Sequence, residues 1–220
     1  TTAAQGYRLF LIGDTTIFTN AVTFQNTSNI ALGNDVGDTL TFNSGLTTTS
    51  VGGTVFLSGT IQTSNDAVVL GAVTLGSATT IDTNASSDAG DITVAAITGG
   101  SNNLTLSTGD NITGADITAS GAISGVTTLT LSDVGGTATL SGDVDVTTLA
   151  VGNTVLNVAF TGNGSSVASS FTPNNDGTFI FGASGGTQTY NGGLNTASVD
   201  GTVTLNGTIA SSDDALTFGA

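Results

Sequence analysis

Ser50 to Ala72 reads SVGGTVFLSGTIQTSNDAVVLGA, and Ser198 to Ala220 reads SVDGTVTLNGTIASSDDALTFGA; 14 of 23 positions are identical, without a gap, at an offset of 148 residues. Self-similarity at a fixed distance is the signature of a repeat architecture, so it is read before any local pattern. The match runs upstream with a one-residue slip in a Gly-rich loop, where Leu40-Thr-Phe-Asn-Ser-Gly-Leu46 faces Gln188-Thr-Tyr-Asn-Gly-Gly-Leu194 and Leu32-Gly33 faces Phe181-Gly182. The repeat unit is therefore about 150 residues. The second copy stops where the first continues through Val73-Thr-Leu-Gly76. That end implies an extended object, either continued by flanking repeats of a longer chain or completed by the start of another copy.

Within the large unit runs a smaller rhythm. Leu104-Thr-Leu-Ser107 recurs as Leu129-Thr-Leu-Ser132, and Ile92-Thr-Val94, Thr137-Ala-Thr-Leu140, Val144-Asp-Val146 and Val203-Thr-Leu205 are built alike. Each alternates apolar with polar, which puts Leu, Val and Ile on one face of a strand and Thr or Ser on the other. Turn signals separate them: Asp-Gly at 176 and 200, Asn-Gly at 163 and 206, and Gly-Gly at 52, 99, 135, 185 and 192.

Composition agrees. The 220 residues include 32 Gly, 1 Pro and 43 Thr, and all 16 acids are Asp, for there is no Glu, Lys, His, Cys, Met or Trp. Thr, Ser, Asn, Asp and Gly all disfavour helix interiors, so an all-β chain is expected. A mean hydropathy of +0.30 with 8% charged residues lies far from the signature of disorder.

Short strands can build a sandwich, a barrel or a solenoid. Nested repetition at roughly one-coil spacing favours a parallel β-helix, with tandem β-sandwiches as the alternative. All ten Phe and both Tyr fall in residues 1–56 or 160–220. The aromatic-free middle suits a narrow coil packed with small aliphatic side chains. At about 22 residues and about 4.8 Å per coil, some ten coils make a rod about 50 Å long. The expected organisation is an N-terminal strand or cap over residues 1–19 and a solenoid over residues 20–220, in which about 20–72 recurs at about 170–220.

Several functions are disfavoured by the residues themselves. One cation, Arg8, against 16 Asp gives a net charge of −15, with no basic surface to neutralise phosphates. Nucleic acid is not an expected partner. No apolar run approaches the roughly 20 residues of a membrane-spanning helix. Without Cys or His there is neither disulfide nor ordinary zinc ligand.

Acid/base catalysis needs placed carboxylates or bases, and the candidates are Asp143 with Asp145, Asp213 with Asp214, and Asp88 with Asp91. With no His, Glu, Lys or Cys beside them, they read as a solvated acidic face, and no catalytic residue is assigned. No dedicated cofactor is expected. Calcium is the cation whose oxygen donors are in supply, at Asn174-Asn175-Asp176 or at Asp143 and Asp145, though turn chemistry accounts for these residues too. Glycans are a candidate decoration: Asn-x-Ser/Thr sequons stand at Asn26, Asn84, Asn103, Asn111, Asn163 and Asn206, about as many as chance supplies, and threonines offer O-linked sites. Thr-x-Thr pairs such as Thr128/Thr130 and Thr137/Thr139 suggest ice-binding ladders. They do not return to one coil position in the sequence, so outward threonine on a β surface is the expectation. Tyr190 and Phe179 are the candidates for an exposed aromatic platform that would bind carbohydrate or a receptor.

Asn102 to Gly125 (NNLTLSTGDNITGADITASGAISG) and Asp38 to Thr83 resemble the repeats of very large secreted bacterial β-helix proteins, the filamentous-haemagglutinin-like and autotransporter-type adhesins. The resemblance lies in the texture of nested Gly-, Thr- and Asn-rich coils and covers most of residues 20–220. It implies a right-handed parallel β-helix, an extracellular or cell-surface location, and a stalk, adhesive or matrix role. Outside the repeat lies Tyr7-Arg8-Leu9-Phe10-Leu11-Ile12, the most apolar window, with the single Arg. It reads either as a first strand or cap, or as a strand that joins one subunit to the next by pairing with an open sheet edge. The functional expectation is a non-enzymatic, self-assembling structural protein of a surface fibre, with adhesion or biofilm cohesion as its use. A surface binding module and a surface-layer or sheath tile are the alternatives.

Overall fold

A computed structural model describes residues 1–86, 90–110 and 114–219. The described chain is all-β, and every pairing between its strands is parallel. Sandwiches of the kind weighed above are antiparallel, so parallel pairing throughout removes that alternative. The chain is a β-solenoid of about nine turns.

Three strand columns run along it. Face I begins with Leu9–Leu11, continues through Ile30–Leu32 and the starts of Val55–Gln62 and Val73–Asp82, and ends at Thr208–Ala210. Face II begins with Thr15–Phe18 and Thr39–Phe42 and ends with Leu194–Asn195 against Leu216–Thr217. Face III runs from Val22–Thr23 through Leu46–Thr47 and Val68–Leu70 to Val203–Leu205. Long strands bend round corners: Ile123–Leu140 contributes to all three faces of one coil. Residues 9–18, set apart above as a strand or cap, form the first coil of this same stack.

Alternation decides what fills the tube. Val55, Leu57 and Ile61 point inward and are almost wholly buried, with Val68 and Leu70 completing the same turn, Ile30 and Leu32 below and Val73, Leu75 and Ile81 above. Each such side chain stabilises the stack by about 1.5–3 kcal/mol. The middle coils are packed with Val, Ile, Leu and Ala, and rings gather towards the ends: Phe18 stacks on Phe42 with centroids 5.0 Å apart, and Phe171, Phe179, Phe181 and Tyr190 form a second cluster.

Coil length is not constant. It varies from 18 residues between Val55 and Val73 to 26 between Ile97 and Ile123. The 148-residue repeat is consequently out of phase with the turn. Val55 on face I corresponds to Val203 on face III, Ile61 on face II to Ile209 on face I, and Val68 on face III to Leu216 on face II. One repeat spans six turns and two further faces, so its second copy is the first rotated by one face.

Local chemistry survives that rotation. Thr63 Oγ1 donates to Asp66 O and Ser211 Oγ to Asp214 O; Ser64 Oγ donates to Asn43 O and Ser212 Oγ to Asn191 O; Gly71 N donates to Thr48 Oγ1 and Gly219 N to Thr196 Oγ1. The corner after Leu32 and Phe181 is Gly33 or Gly182, at φ +78° and +72°. A Cβ there would collide with the carbonyl oxygen of Ser58 or Asn206 in the next coil. Left-handed φ and close backbone approach together explain why the repeat keeps glycine.

Candidate functional site

Two surfaces carry function in a stack of this kind: its long faces and its ends. On face II, outward alternation and coil register place Thr15, Thr39, Thr60, Thr80, Thr105 and Thr130 in one continuous column. This corrects the sequence expectation that threonines do not return to one coil position. Beside it runs a second column: Gln62 Nε2 donates to Thr41 Oγ1 at 2.9 Å, and Ser107 Oγ donates to Asp82 Oδ1 at 3.4 Å. Thr139 belongs to face III, in register with Thr118 and Thr93. Thr128 pairs with Thr148 at the edge of face II.

The aromatic platform is not on the surface. Tyr190 and Phe179 are both 0% exposed. Phe179 and Phe181 point inward while Ile180 points out, and Tyr190 lies parallel to Phe171 with centroids 5.9 Å apart. The Tyr190 hydroxyl donates to Gln188 Oε1 at 3.0 Å, and Gln188 Nε2 donates to Phe160 O at 2.8 Å and Gly162 O at 3.2 Å. Burial pushes the hydroxyl pKa far above its ordinary range.

The aspartates serve the coil path. Asp91 Oδ1 accepts from Asp116 N, Asp116 Oδ1 from Thr137 N, and Asp143 Oδ1 from Gly164 N, each bond tying one turn to the next. Asp145 is exposed and lines a shallow groove of about 300 Å³ with Ser101, Thr127 and Ser166. Asp213 and Asp214 are exposed on the last coil, and Asp88 lies outside the described residues. Among the described residues no three acidic side chains gather round a point where a metal ion could sit.

Asn174, Asn175 and Asp176, the other oxygen-rich candidate, do not converge: the outer two are exposed and Asn175 is fully buried. Its Nδ2 donates to the carbonyls of Leu156, Gly177 and Thr178. Asn26, the matching residue of the first copy, is also buried and donates to Tyr7 O, nineteen positions back, and Ser28 O, two on. In both, Oδ1 has no partner among the described residues. As a glycan acceptor Asn26 is closed off in the fold. Asn84, Asn103 and Asn163 are exposed, Asn206 is half-buried, and Asn111 lies outside the described residues.

At the ends, the apolar window Tyr7 to Ile12 splits by parity. Leu9 and Leu11 turn inward and are half-buried, while Phe10 and Ile12 are 60% and 50% exposed; Tyr7 and Arg8 are exposed, and the Tyr7 hydroxyl donates to Ala3 O. Leu9–Leu11 pairs in parallel with Ile30–Leu32. At the far end Leu205 and Phe218 are 43% and 44% exposed. No helix among the described residues is long and apolar enough to cross a membrane. Compared with protein-family models, curated proteins and solved structures, the chain matches none.

Proposed function

We propose that this chain is a structural element of an extracellular or cell-surface fibre of the filamentous-haemagglutinin-like kind, non-enzymatic, used for adhesion or for cohesion of a biofilm matrix. The observation that carries the reading is the rotated repeat. A unit of about 150 residues recurs along one solenoid axis, with inward Val55, Leu57 and Ile61 returning as Val203, Leu205 and Ile209 and the corner hydrogen bonds returning with them, so the chain's repetition is spent on axial length. Axial length is what a stalk or fibre needs. Of the aspartates that catalysis would use, Asp91 and Asp143 accept from backbone amides of the next turn, while Asp145, Asp213 and Asp214 are exposed with no base beside them.

Immunogold electron microscopy of the source cells, with antibodies raised against the purified chain, tests this. Label on fibres outside the cell is expected. Label confined to the cell interior refutes it.

The threonine column supports a second reading, a binding face for an extended glycan. Its rungs are uncharged and stand one strand spacing apart, about 4.8 Å. A glycan array probed with the chain and with Thr80→Lys/Thr105→Lys decides it: retention lost in the variant is expected, and no retention of either refutes it.

A further inference from the structure

Tyr190 and Phe179 are buried, but two other rings are turned outward. Leu9 and Leu11 point into the tube and Phe10 out of it; Val55 and Leu57 are buried and Phe56, between them, points out. Register sets Phe10 beside Ala31 and Ala31 beside Phe56. The two rings therefore stand in one outward column of face I, two strand spacings or about 9.6 Å apart, with a methyl group between them. Ala31 is half-buried, so the floor between the rings is reachable from solvent.

The same column continues as hydroxyls. Phe56 pairs with Thr74, Thr74 with Thr98 and Thr98 with Ser124, and the next rung is Asp145. From Phe10 to Asp145 the column runs six strand spacings, about 29 Å. Asp145 and the rung after it, Ser166, line the shallow groove of about 300 Å³. Asp91, Asp116 and Asp143 give their carboxylates to backbone amides of the next turn. Asp145 gives its own to none of the described residues, and the hydroxyls of Thr74, Thr98 and Ser124 are equally uncommitted among them.

We infer that this column of face I is a binding track for an extended neutral polysaccharide lying along the solenoid axis. The chemistry of each stage selects that ligand. A pyranose carries C–H bonds on its face and hydroxyls round its edge, so the face packs on a phenyl ring while the edge hydrogen-bonds to Thr, Ser and Asp. Two strand spacings are close to the length of two residues of an extended β-linked chain. Every second sugar then lies on a ring, and the one between lies over Ala31. An apolar peptide or acyl chain would cover the hydroxyl rungs and Asp145 without pairing them. A polyanionic glycan would meet the Asp145 carboxylate in a chain of net charge −15, which the single cation Arg8 does not offset. The track lies on a different face from the threonine column and needs neither that column nor the fibre reading.

Native electrophoresis through gels cast with soluble hydroxyethylcellulose tests this, since a chain of charge −15 runs readily towards the anode. The chain is expected to be slowed in that gel and not in one cast with polygalacturonate. Phe10→Leu/Phe56→Leu keeps outward apolar bulk and removes both ring faces. It is expected to bind about tenfold or more weakly, with an unchanged β circular-dichroism signal. Thr98→Lys, on an exposed rung beyond the rings, is expected to weaken binding as well. A wild-type chain that migrates alike with and without the neutral glycan overturns the inference, as does equal retardation by polygalacturonate. Retardation that survives Phe10→Leu/Phe56→Leu moves binding off face I and leaves the threonine column as its seat. Retardation untouched by Thr98→Lys refutes the track beyond the rings.

Discussion

Gln188 and Tyr190 occupy the places that Leu40 and Phe42 hold in the first copy, so the protein contains both a polar and an apolar solution to one core position. The polar pair is closed: Tyr190 donates to Gln188 Oε1, and Gln188 Nε2 donates to two carbonyls. Tyr190→Phe leaves Oε1 buried without a donor, and should cost about 1–3 kcal/mol. Gln188→Leu strands the hydroxyl and takes the donor from Gly162 O, at about 2–3 kcal/mol. Phe160 O loses less, since Gly182 N also donates to it. The double variant restores the Leu-x-Phe pattern of the first copy, so it should recover about 1–2 kcal/mol of the summed losses, a coupling typical of residues in one network. Urea denaturation followed by far-UV circular dichroism measures the cycle, provided the slope against denaturant stays constant across the four proteins. Losses that add to within about 0.5 kcal/mol would refute the network. The tyrosine also has an alkaline signature. Its pKa is raised on folding, so its contribution is whole below the unfolded value near 10 and is lost as pH climbs beyond it. Tyr190→Phe should flatten the decline in stability above pH ~10.

Other consequences can be measured in the same way. Gly33→Ala forces a left-handed φ on a Cβ aimed at Ser58 O, and Gly182→Ala does the same against Asn206 O; each should cost about 2–4 kcal/mol, and a loss under about 0.5 kcal/mol would show the corner to be slack. Asn175→Asp removes the two amide hydrogens that serve Leu156, Gly177 and Thr178 and buries a carboxyl whose folded pKa must rise above about 3.9. Its deficit against wild type should be smallest below pH ~4 and grow as pH rises through the folded pKa, and a pH-independent deficit would refute this account. Thr80→Val with Thr105→Val keeps the β-branching of the face II column and deletes two hydroxyls, so stability should hold within about 0.5 kcal/mol. A fall beyond about 2 kcal/mol would mean that those hydroxyls hold the coils together.

Much of this fold is legible in the sequence because two of its determinants are local. Period-two strands such as Leu104-Thr-Leu-Ser107 declare their inner face, and Gly, Asn and Asp mark the corners. The threonine column is hidden for a reason that can be stated. Its rungs are separated by 24, 21, 20, 25 and 25 residues, since corner loops differ in length while strand register does not. No fixed period in the sequence can find it. Phe179-Ile-Phe181 is apolar throughout, so alternation cannot say which side faces in. Tyr190 is recoverable: the repeat sets it opposite Phe42, a ring flanked by polar residues at the end of an alternating strand, and that equivalence points inward.

The rotated repeat adds a constraint that neither copy reveals by itself. Val55, Leu57, Gly59 and Ile61 recur unchanged as Val203, Leu205, Gly207 and Ile209, whereas the outward Phe56 and Gln62 become Thr204 and Ala210. A unit shifted by one face must fit a different wall of the tube at each recurrence. Val55, Leu57 and Ile61 suit both walls unchanged because burial carries no direction, while Leu40, Phe42 and Leu70 give way to Gln188, Tyr190 and Phe218. Outward residues are under no such demand. A face-specific surface such as the threonine column cannot be propagated by a repeat that rotates: the first copy's Thr41 and Thr60 lie on face II, and their counterparts Thr189 and Thr208 lie on face I. The column ends at Ala150.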